Sequence, residues 1–446
     1  MKSIGDGTGD SSVSVFRRFQ TAEAGSARPP APLASVIVKV LIVGAGIAGL
    51  ATALFLHDSG IECEVYERSP EIRELGVGIN ALPLAVGPLA GLGLLDALDE
   101  VAVRTKELFY CHRLGQVIMH RQCGIDAGFD VPQLSVHRGR LQGVLLRAVQ
   151  ERLGPGAVHT GHRFAGFEQD GDGVRVRFTA PDGEPLGERS GDVLIGADGI
   201  HSTVRATFFP EEGPPRWNGV LMWRGATDWP PFLTGRSMIV AGGNAAKLVL
   251  YPIGRGGSPE TVLTNWAICI RTGEPGDPPR RREDWSRTGD RAELAPHVER
   301  FHTPHLDLPG LVAATPEFYE YPMCDRDPLP RWSHGRVTLL GDAAHPMYPM
   351  GSNGAGQAVL DAVALTRHLT SGADPETALT AYQDERLPAT SEIVLRNRIG
   401  GPEMVIDEVE RRAPDGFDRL DDVIDPAELE SIVKSYAAAS VAAPRS

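Results

Sequence analysis

Cysteine is scarce and scattered in this chain of 446 residues. Its five cysteines, Cys63, Cys111, Cys123, Cys269 and Cys324, never stand as a C-x-x-C pair. That spacing excludes a redox dithiol and a zinc cluster, and reads as free thiols in a reducing cytoplasm. Positive charge is short as well: 44 Lys and Arg against 58 Asp and Glu give a formal net charge of −14. Phosphate backbones and anionic membrane surfaces repel such a chain, so neither nucleic acid nor a membrane is an expected partner. The longest apolar stretch, Val36 to Leu56, is interrupted by Lys39, Gly44, Gly46 and Gly49, and does not read as a transmembrane helix. Residues 1–35 are rich in Ser, Gly, Ala and Pro and lack the apolar centre of a secretory signal. They read as a disordered extension.

What is present has two textures. Val38 to Val43 is apolar and β-branched, a glycine-rich turn follows, an apolar helix reaches about His57, and Glu62 to Glu67 alternates as a second strand. This is a βαβ unit. Leu84 to Leu98 reads as a helix interrupted by Gly91 and Gly93, and Arg140 to Leu153 as another, with Leu141, Val144, Leu145 and Val149 on one face. Between Gly173 and Arg287 short alternating runs take over: Val174 to Phe178, Val220 to Trp223, Lys247 to Tyr251 and Val262 to Ile270. They predict an antiparallel sheet. Asp192 to Gly196 and Val337 to Leu340 return to the wholly apolar type of a buried parallel strand. The last 60 or so residues alternate helical and acidic stretches and predict a helical cap, while Arg280-Arg-Arg282 reads as a solvated loop. The fold class is α/β with two interleaved domains.

Three motifs carry chemistry. In Gly44-x-Gly46-x-x-Gly49, the first glycine permits a tight turn, the second lets backbone amides approach a pyrophosphate, and the third allows close helix–strand packing. Glu67, about 20 residues on, suits ribose hydroxyls and disfavours a 2′-phosphate, so FAD or NAD fits better than NADP. No second fingerprint of this kind exists for a separate nicotinamide domain. Gly196-Ala-Asp198-Gly199 to Arg205 follows a buried strand, where open α/β sheets hold ligands. Gly341-Asp342-Ala-Ala-His345 leads through Pro346, Pro349, Gly351 and Gly354 into a helix whose N-terminus can meet an electron-rich ring edge. Taken singly, either acidic turn is equally well an N-cap or a surface loop.

In this order and separation the three motifs resemble those of the group A flavoprotein monooxygenases, the family of p-hydroxybenzoate and salicylate hydroxylases, over about residues 36–395. Gly76-Val-Gly-Ile-Asn80, Met222-Trp-Arg-Gly225 and Tyr321 to Pro330 are similar to the phenazine hydroxylases among them, which act on 5-methylphenazine-1-carboxylate. The resemblance implies a Rossmann-like FAD-binding domain of the glutathione-reductase type, made of residues 36–105, 131–205 and 332–395. It implies an antiparallel-sheet substrate domain of residues 106–130 and 206–331, followed by a C-terminal helical segment, 396–446.

By that resemblance Gly44, Gly46, Ala48, Gly49, Glu67 and Arg68 hold the adenosine half of FAD, Gly78 lies along the cofactor, and Arg138 contacts the phosphates. Asp342 holds the pyrophosphate–ribityl region, Pro349, Gly351, Asn353 and Gly354 line the isoalloxazine, and Asp198 is shared between FAD and transient NAD(P)H. The family reaction takes a hydride from NADH or NADPH, adds O2 to give a flavin C4a-hydroperoxide, and hydroxylates a planar, often carboxylated aromatic or heteroaromatic ring. Hydroxylation with loss of carbon dioxide is a variant of it. Arg224, in an apolar strand, faces the flavin, a substrate carboxylate or the sheet rim; Tyr251 and Trp266 form either a pocket wall or ordinary core. Arg224, Tyr251, Pro349 and Gly351 are the candidates for the reacting centre, His345 chiefly shapes its loop, and Met347 and Met350 pack at the flavin edge or pocket. A monomer or homodimer is expected. The alternatives are an FAD-dependent reductase, a halogenase, or a non-catalytic FAD-binding redox sensor. The halogenase pattern W-x-W-x-I-P is absent, with Trp217 and Trp223 wrongly spaced for it.

Overall fold

The parallel sheet is built from the most apolar runs of the chain. The computed structural model describes residues 39–74, 76–279 and 287–432; the N-terminal extension, the Arg280-Arg-Arg282 run and residues 433–446 lie outside them. Five strands pair in the order Val337–Leu339, Val193–Gly196, Lys39–Val43, Glu62–Tyr66, Val158–His159, all parallel. Helices cover them, so their residues are apolar on both sides: Val40, Leu41, Ile42, Val65, Leu194, Ile195 and Leu339 are fully buried. Each such side chain contributes roughly 1.5–3 kcal/mol of burial. The helix Ile47–Asp58 follows the first strand, and Gly354–Leu369 follows the last. The segment read as one interrupted helix is two, Pro83–Gly91 and Leu95–Val101, parted at Gly93, whose φ of +72° is left-handed.

A second, seven-stranded sheet runs Phe318–Asp325, Arg216–Trp229, Val262–Arg271, Ala246–Arg255, Ser237–Ala241, Glu107–Cys111, Val117–Gln122. It is mixed rather than purely antiparallel, because Ser237–Ala241 and Glu107–Cys111 pair in parallel. Its back face, with Trp223, Leu248, Trp266, Ile268 and Phe318, is sealed by the short helices Arg291–Val298 and Leu308–Ala314. Its front face looks toward the parallel sheet.

The strand Val174–Thr179, expected in this sheet, belongs elsewhere. It pairs with Arg163–Gln169 and Pro185–Gly191 in a separate three-stranded sheet. Its Val174, Val176 and Phe178 join the core of the parallel-sheet domain. Alternation tells which face a strand buries but not which sheet receives it.

The helix Pro375–Ile399 runs through the expected boundary at residue 396. Beyond it the helix Met404–Arg412 buries Val405, Ile406 and Val409 against Tyr110, Ile118, Met238 and Val240 of the large sheet. The C-terminal segment therefore closes one side of the space between the two sheets.

Candidate active site

The glycine turn separates folding from binding residue by residue. Gly44 has a φ of +108°, and a Cβ there would meet the Ala197 carbonyl oxygen at 2.4 Å. A Cβ on Gly49 would lie 2.0 Å from the Gly44 carbonyl oxygen. Both positions are closed to other residues by the fold itself. Gly46 is different: its Cβ would meet nothing within 4 Å. The space above it, at the N-terminus of Ile47–Asp58, opens onto a cavity, as a bound pyrophosphate requires. Glu67 accepts the Ala45 amide at 2.9 Å on one oxygen and the Ser69 amide at 2.9 Å on the other. Each oxygen keeps a lone pair for a ribose hydroxyl.

The cavity, about 760 Å³, lies between the C-terminal edge of the parallel sheet and the front of the seven-stranded sheet. Gly46, Ala48, Gly78, Arg138, Arg224, Tyr251, Asp342, Pro349, Gly351, Asn353 and Gly354 line it. Gly44, Gly49, Glu67, Arg68 and Asp198 do not. Arg68 is exposed beyond the second strand. Asp198 braces the start of the helix Thr203–Phe208, whose N-cap is Ser202: its carboxylate accepts the Ser202 hydroxyl at 2.5 Å, the Thr203 amide at 2.6 Å and the Thr203 hydroxyl at 2.9 Å. Its local task is thus to shape the turn Ala197–Ile200.

Arg138 and Asp342 are exposed to the cavity, while protein packs densely around them on their other sides. That enclosure lowers the Arg138 pKa, against the pull of Asp342, and raises the Asp342 pKa, against His345 and Arg138. The two are close enough to feel each other's charge, a cation and a carboxylate on one cavity wall. Beyond them Gly351 and Ser352 are left-handed, at φ +64° and +57°, which turns the chain into the helix Gly354–Leu369. Its unpaired amides and positive dipole end meet the cavity.

This loop is held from behind by charged groups that do not touch the cavity. Asp361, fully buried, takes the Gly341 amide at 3.1 Å, His345 Nε2 at 2.5 Å and Arg386 Nε at 2.8 Å. Burial would raise its pKa, but His345 and Arg386 outweigh that and hold it at about 2. Arg386 also binds Gln357 Oε1 at 2.6 Å, on the same helix. Arg205, paired with Glu212, donates to the Ala343 and Ala344 carbonyls at 3.1 and 2.9 Å. His345 is buried against Asp361 and does not line the cavity, which leaves it shaping the loop.

On the large sheet, Arg224 donates to Tyr321 Oη at 2.5 Å and to the Gly78 carbonyl at 2.6 Å. Its buried Nε has no hydrogen-bond partner among the described residues. Gly78 in turn gives its amide to Asn265 Oδ1 at 2.8 Å, so one glycine ties the cofactor side to the sheet. Burial pushes the Tyr251 hydroxyl up to about 12, although Arg224 pulls it down. Tyr251 is a cavity wall; Trp266 is core. Register decides between them: Trp266 pairs with Leu250 and points to the back, where its Nε1 meets Thr315 Oγ1 at 2.8 Å. Met347 and Met350 both line the cavity.

Asp361, Arg386 and the pair Lys247–Glu403 were not singled out from the sequence. Asp361 left a signal: one carboxylate inside the apolar run Ala358 to Leu365 demands a buried cation.

Comparisons with known proteins give the family. A family described as FAD binding domain matches residues 37–397. A phenazine 1,6-dicarboxylic acid hydroxylase from Lysobacter antibioticus is 43% identical over 363 residues, covering 80% of this chain and 89% of its own. A 3-hydroxybenzoate 6-hydroxylase from Aquipseudomonas alcaligenes is 32% identical, over 81% of this chain and 88% of its own. Among solved structures, Klebsiella pneumoniae HpxO complexed with FAD and uric acid superposes with a TM-score of 0.71 at 26% identity, covering 90% of this chain and 97% of that one. The chain belongs to the FAD-binding family of aromatic hydroxylases and is an FAD-dependent monooxygenase that uses NAD(P)H and O2.

Proposed function

We propose that this monooxygenase hydroxylates a planar, carboxylated heteroaromatic of the phenazine type. One observation carries the reading: the front of the large sheet offers a flat apolar wall, with Met222, Val249 and Ala267, beside the guanidinium of Arg224. A planar ring packs on such a wall, and the guanidinium beside it, whose Nη1 and Nη2 each keep an N–H beyond those given to Tyr321 and Gly78, suits a carboxylate. The 43% identity to a phenazine dicarboxylic acid hydroxylase points the same way.

In this reading Gly46, Ala48, Arg138 and Asp342 hold the pyrophosphate and ribityl part of FAD, with Glu67 on the ribose. Gly44 and Gly49 shape the turn, and Asp198 acts through the turn it braces. Pro349, Gly351, Asn353 and Gly354 lie along the isoalloxazine. Bound FAD supplies hydride acceptance from NAD(P)H and the activation of dioxygen. The chain orients the ring, with Arg224 and Tyr251 at the substrate, and its apolar wall excludes water from the reacting centre. The Tyr251 hydroxyl, pushed up to about 12, stays protonated at neutral pH and serves as a hydrogen-bond donor. The enzyme acts in the cytoplasm as a monomer or homodimer, without nucleic acid or membrane.

The test is NADH and NADPH oxidation by FAD-loaded protein against phenazine carboxylates, hydroxybenzoates and uncharged phenols. The reading expects the strongest stimulation from phenazine acids. Stimulation by phenols or benzoates alone would sink it.

A further inference from the structure

Lys247 and Glu403 form an ion pair in the cavity wall, Nζ to Oε1 2.8 Å, and both are buried. Glu403 lies past residue 397, the end of the family match, on the segment that closes the cavity. Burying such a pair costs about as much desolvation as it returns in attraction, and apolar residues of similar size hold a fold equally well. This pair lines an open cavity, where a ligand can reach it.

Lys247, Val249 and Tyr251 share the front face of one strand. Cys269 stands opposite Lys247, and Met222 opposite Cys269; Ala267 stands opposite Val249, and Arg224 opposite Ala267. Lys247 and Arg224 thus sit diagonally across three strands, two strand spacings and two residues apart, roughly 12 Å between Cα atoms. The apolar floor between them is as long as a fused three-ring system. The ammonium has three hydrogens, and among the described residues its partners are one oxygen, of Glu403, and one weak acceptor, Met350 Sδ at 3.3 Å. A carboxylate can replace the thioether.

We infer that Lys247 is a specificity residue: an anchor for a second anionic group at the end of the substrate remote from Arg224, with Glu403 as the positioning residue that holds it. The favoured substrate is then a long planar dianion rather than a monoacid. The inference rests on the proposed reading that this wall faces the substrate.

The test uses FAD-loaded enzyme and equilibrium binding read from the flavin absorbance, with phenazine-1,6-dicarboxylate and phenazine-1-carboxylate as probes. The double variant Lys247→Met/Glu403→Gln removes both charges and leaves neither buried alone. Its affinity for the diacid falls at least about ten-fold more than its affinity for the monoacid, the scale of one charge-assisted hydrogen bond. Lys247→Arg keeps the preference. Equal losses for both probes, no loss, or a wild-type enzyme without preference for the diacid each overturn the inference. Turnover is read separately. A Lys247-dependent preference in an enzyme that oxidises NAD(P)H no faster with either acid keeps the anchor and removes the phenazine hydroxylase reading.

Discussion

Replacing Asp361 with asparagine tests how the Gly341–Ala344 loop is held. The side chain keeps its shape and loses its charge. Arg386, 9% exposed, then lies buried without its counterion. Removing one partner of a buried pair costs about 3–5 kcal/mol. The new amide also brings an NH2 toward Arg386 or His345, where the carboxylate had accepted. Against a total stability of about 5–15 kcal/mol, the loss is large. The Gly341 amide loses its anchor as well, so the loop carrying Asp342 loosens. Urea unfolding should give a loss of at least about 3 kcal/mol. Titration followed by flavin fluorescence should give FAD affinity down at least about ten-fold, as for one lost charge-assisted contact. The further change Arg386→Gln, which removes the orphaned cation, should restore part of the stability. An Asp361→Asn enzyme within about 1 kcal/mol of wild type, with unchanged FAD affinity, would refute the reasoning.

The same carboxylate sets an acid limit. Its folded pKa, about 2, lies below the ordinary 3.8, so its contribution is complete above pH 4 and is lost as pH falls toward 2. About 2 kcal/mol of stability should disappear in that window in wild type and not in Asp361→Asn, as acid titration of unfolding would measure. Gly49→Ala and Gly46→Ala should divide the fingerprint's two tasks. The first places a Cβ 2.0 Å from a carbonyl oxygen and should lower the melting temperature of FAD-free protein by several degrees or prevent folding. The second meets nothing within 4 Å, so it should leave that melting temperature nearly unchanged and weaken FAD binding. Gly78→Ala brings a Cβ to 2.7 Å from Ile253 and Tyr251 and 2.8 Å from Asn265. It should cost about 1–3 kcal/mol and raise KM through the displaced Arg224; unchanged thermal unfolding and KM would contradict that role.

What was legible in the sequence is what local chemistry specifies. The turn Gly44–Gly49 with Glu67 is legible because a helix N-terminus, a tight turn and a carboxylate follow one another along a single stretch. The parallel strands are legible because burial on both faces leaves wholly apolar runs such as Leu41–Val43 and Val193–Ile195. Pairing was not legible. Whether Val174 or Tyr251 faces one core or another depends on a partner strand far away in sequence. Trp266 went to the back of its sheet because its neighbour in register is Leu250. The buried charges escaped for the same reason: Asp361 meets Arg386 25 residues on, and Lys247 meets Glu403 156 residues on. Neither interval is a motif. Asp198 was legible as a turn acid, and its bonds to Ser202 and Thr203 are the plainer of the two tasks such a turn offers.

The most direct measurement combines turnover with product mass. FAD-loaded protein is given NADH or NADPH, phenazine-1,6-dicarboxylate and isotopically labelled dioxygen. The account predicts reduced nicotinamide consumed faster with the acid than without it, and one labelled oxygen atom in the organic product. Oxidation that yields only hydrogen peroxide with every aromatic acid offered, and no labelled product, would contradict it.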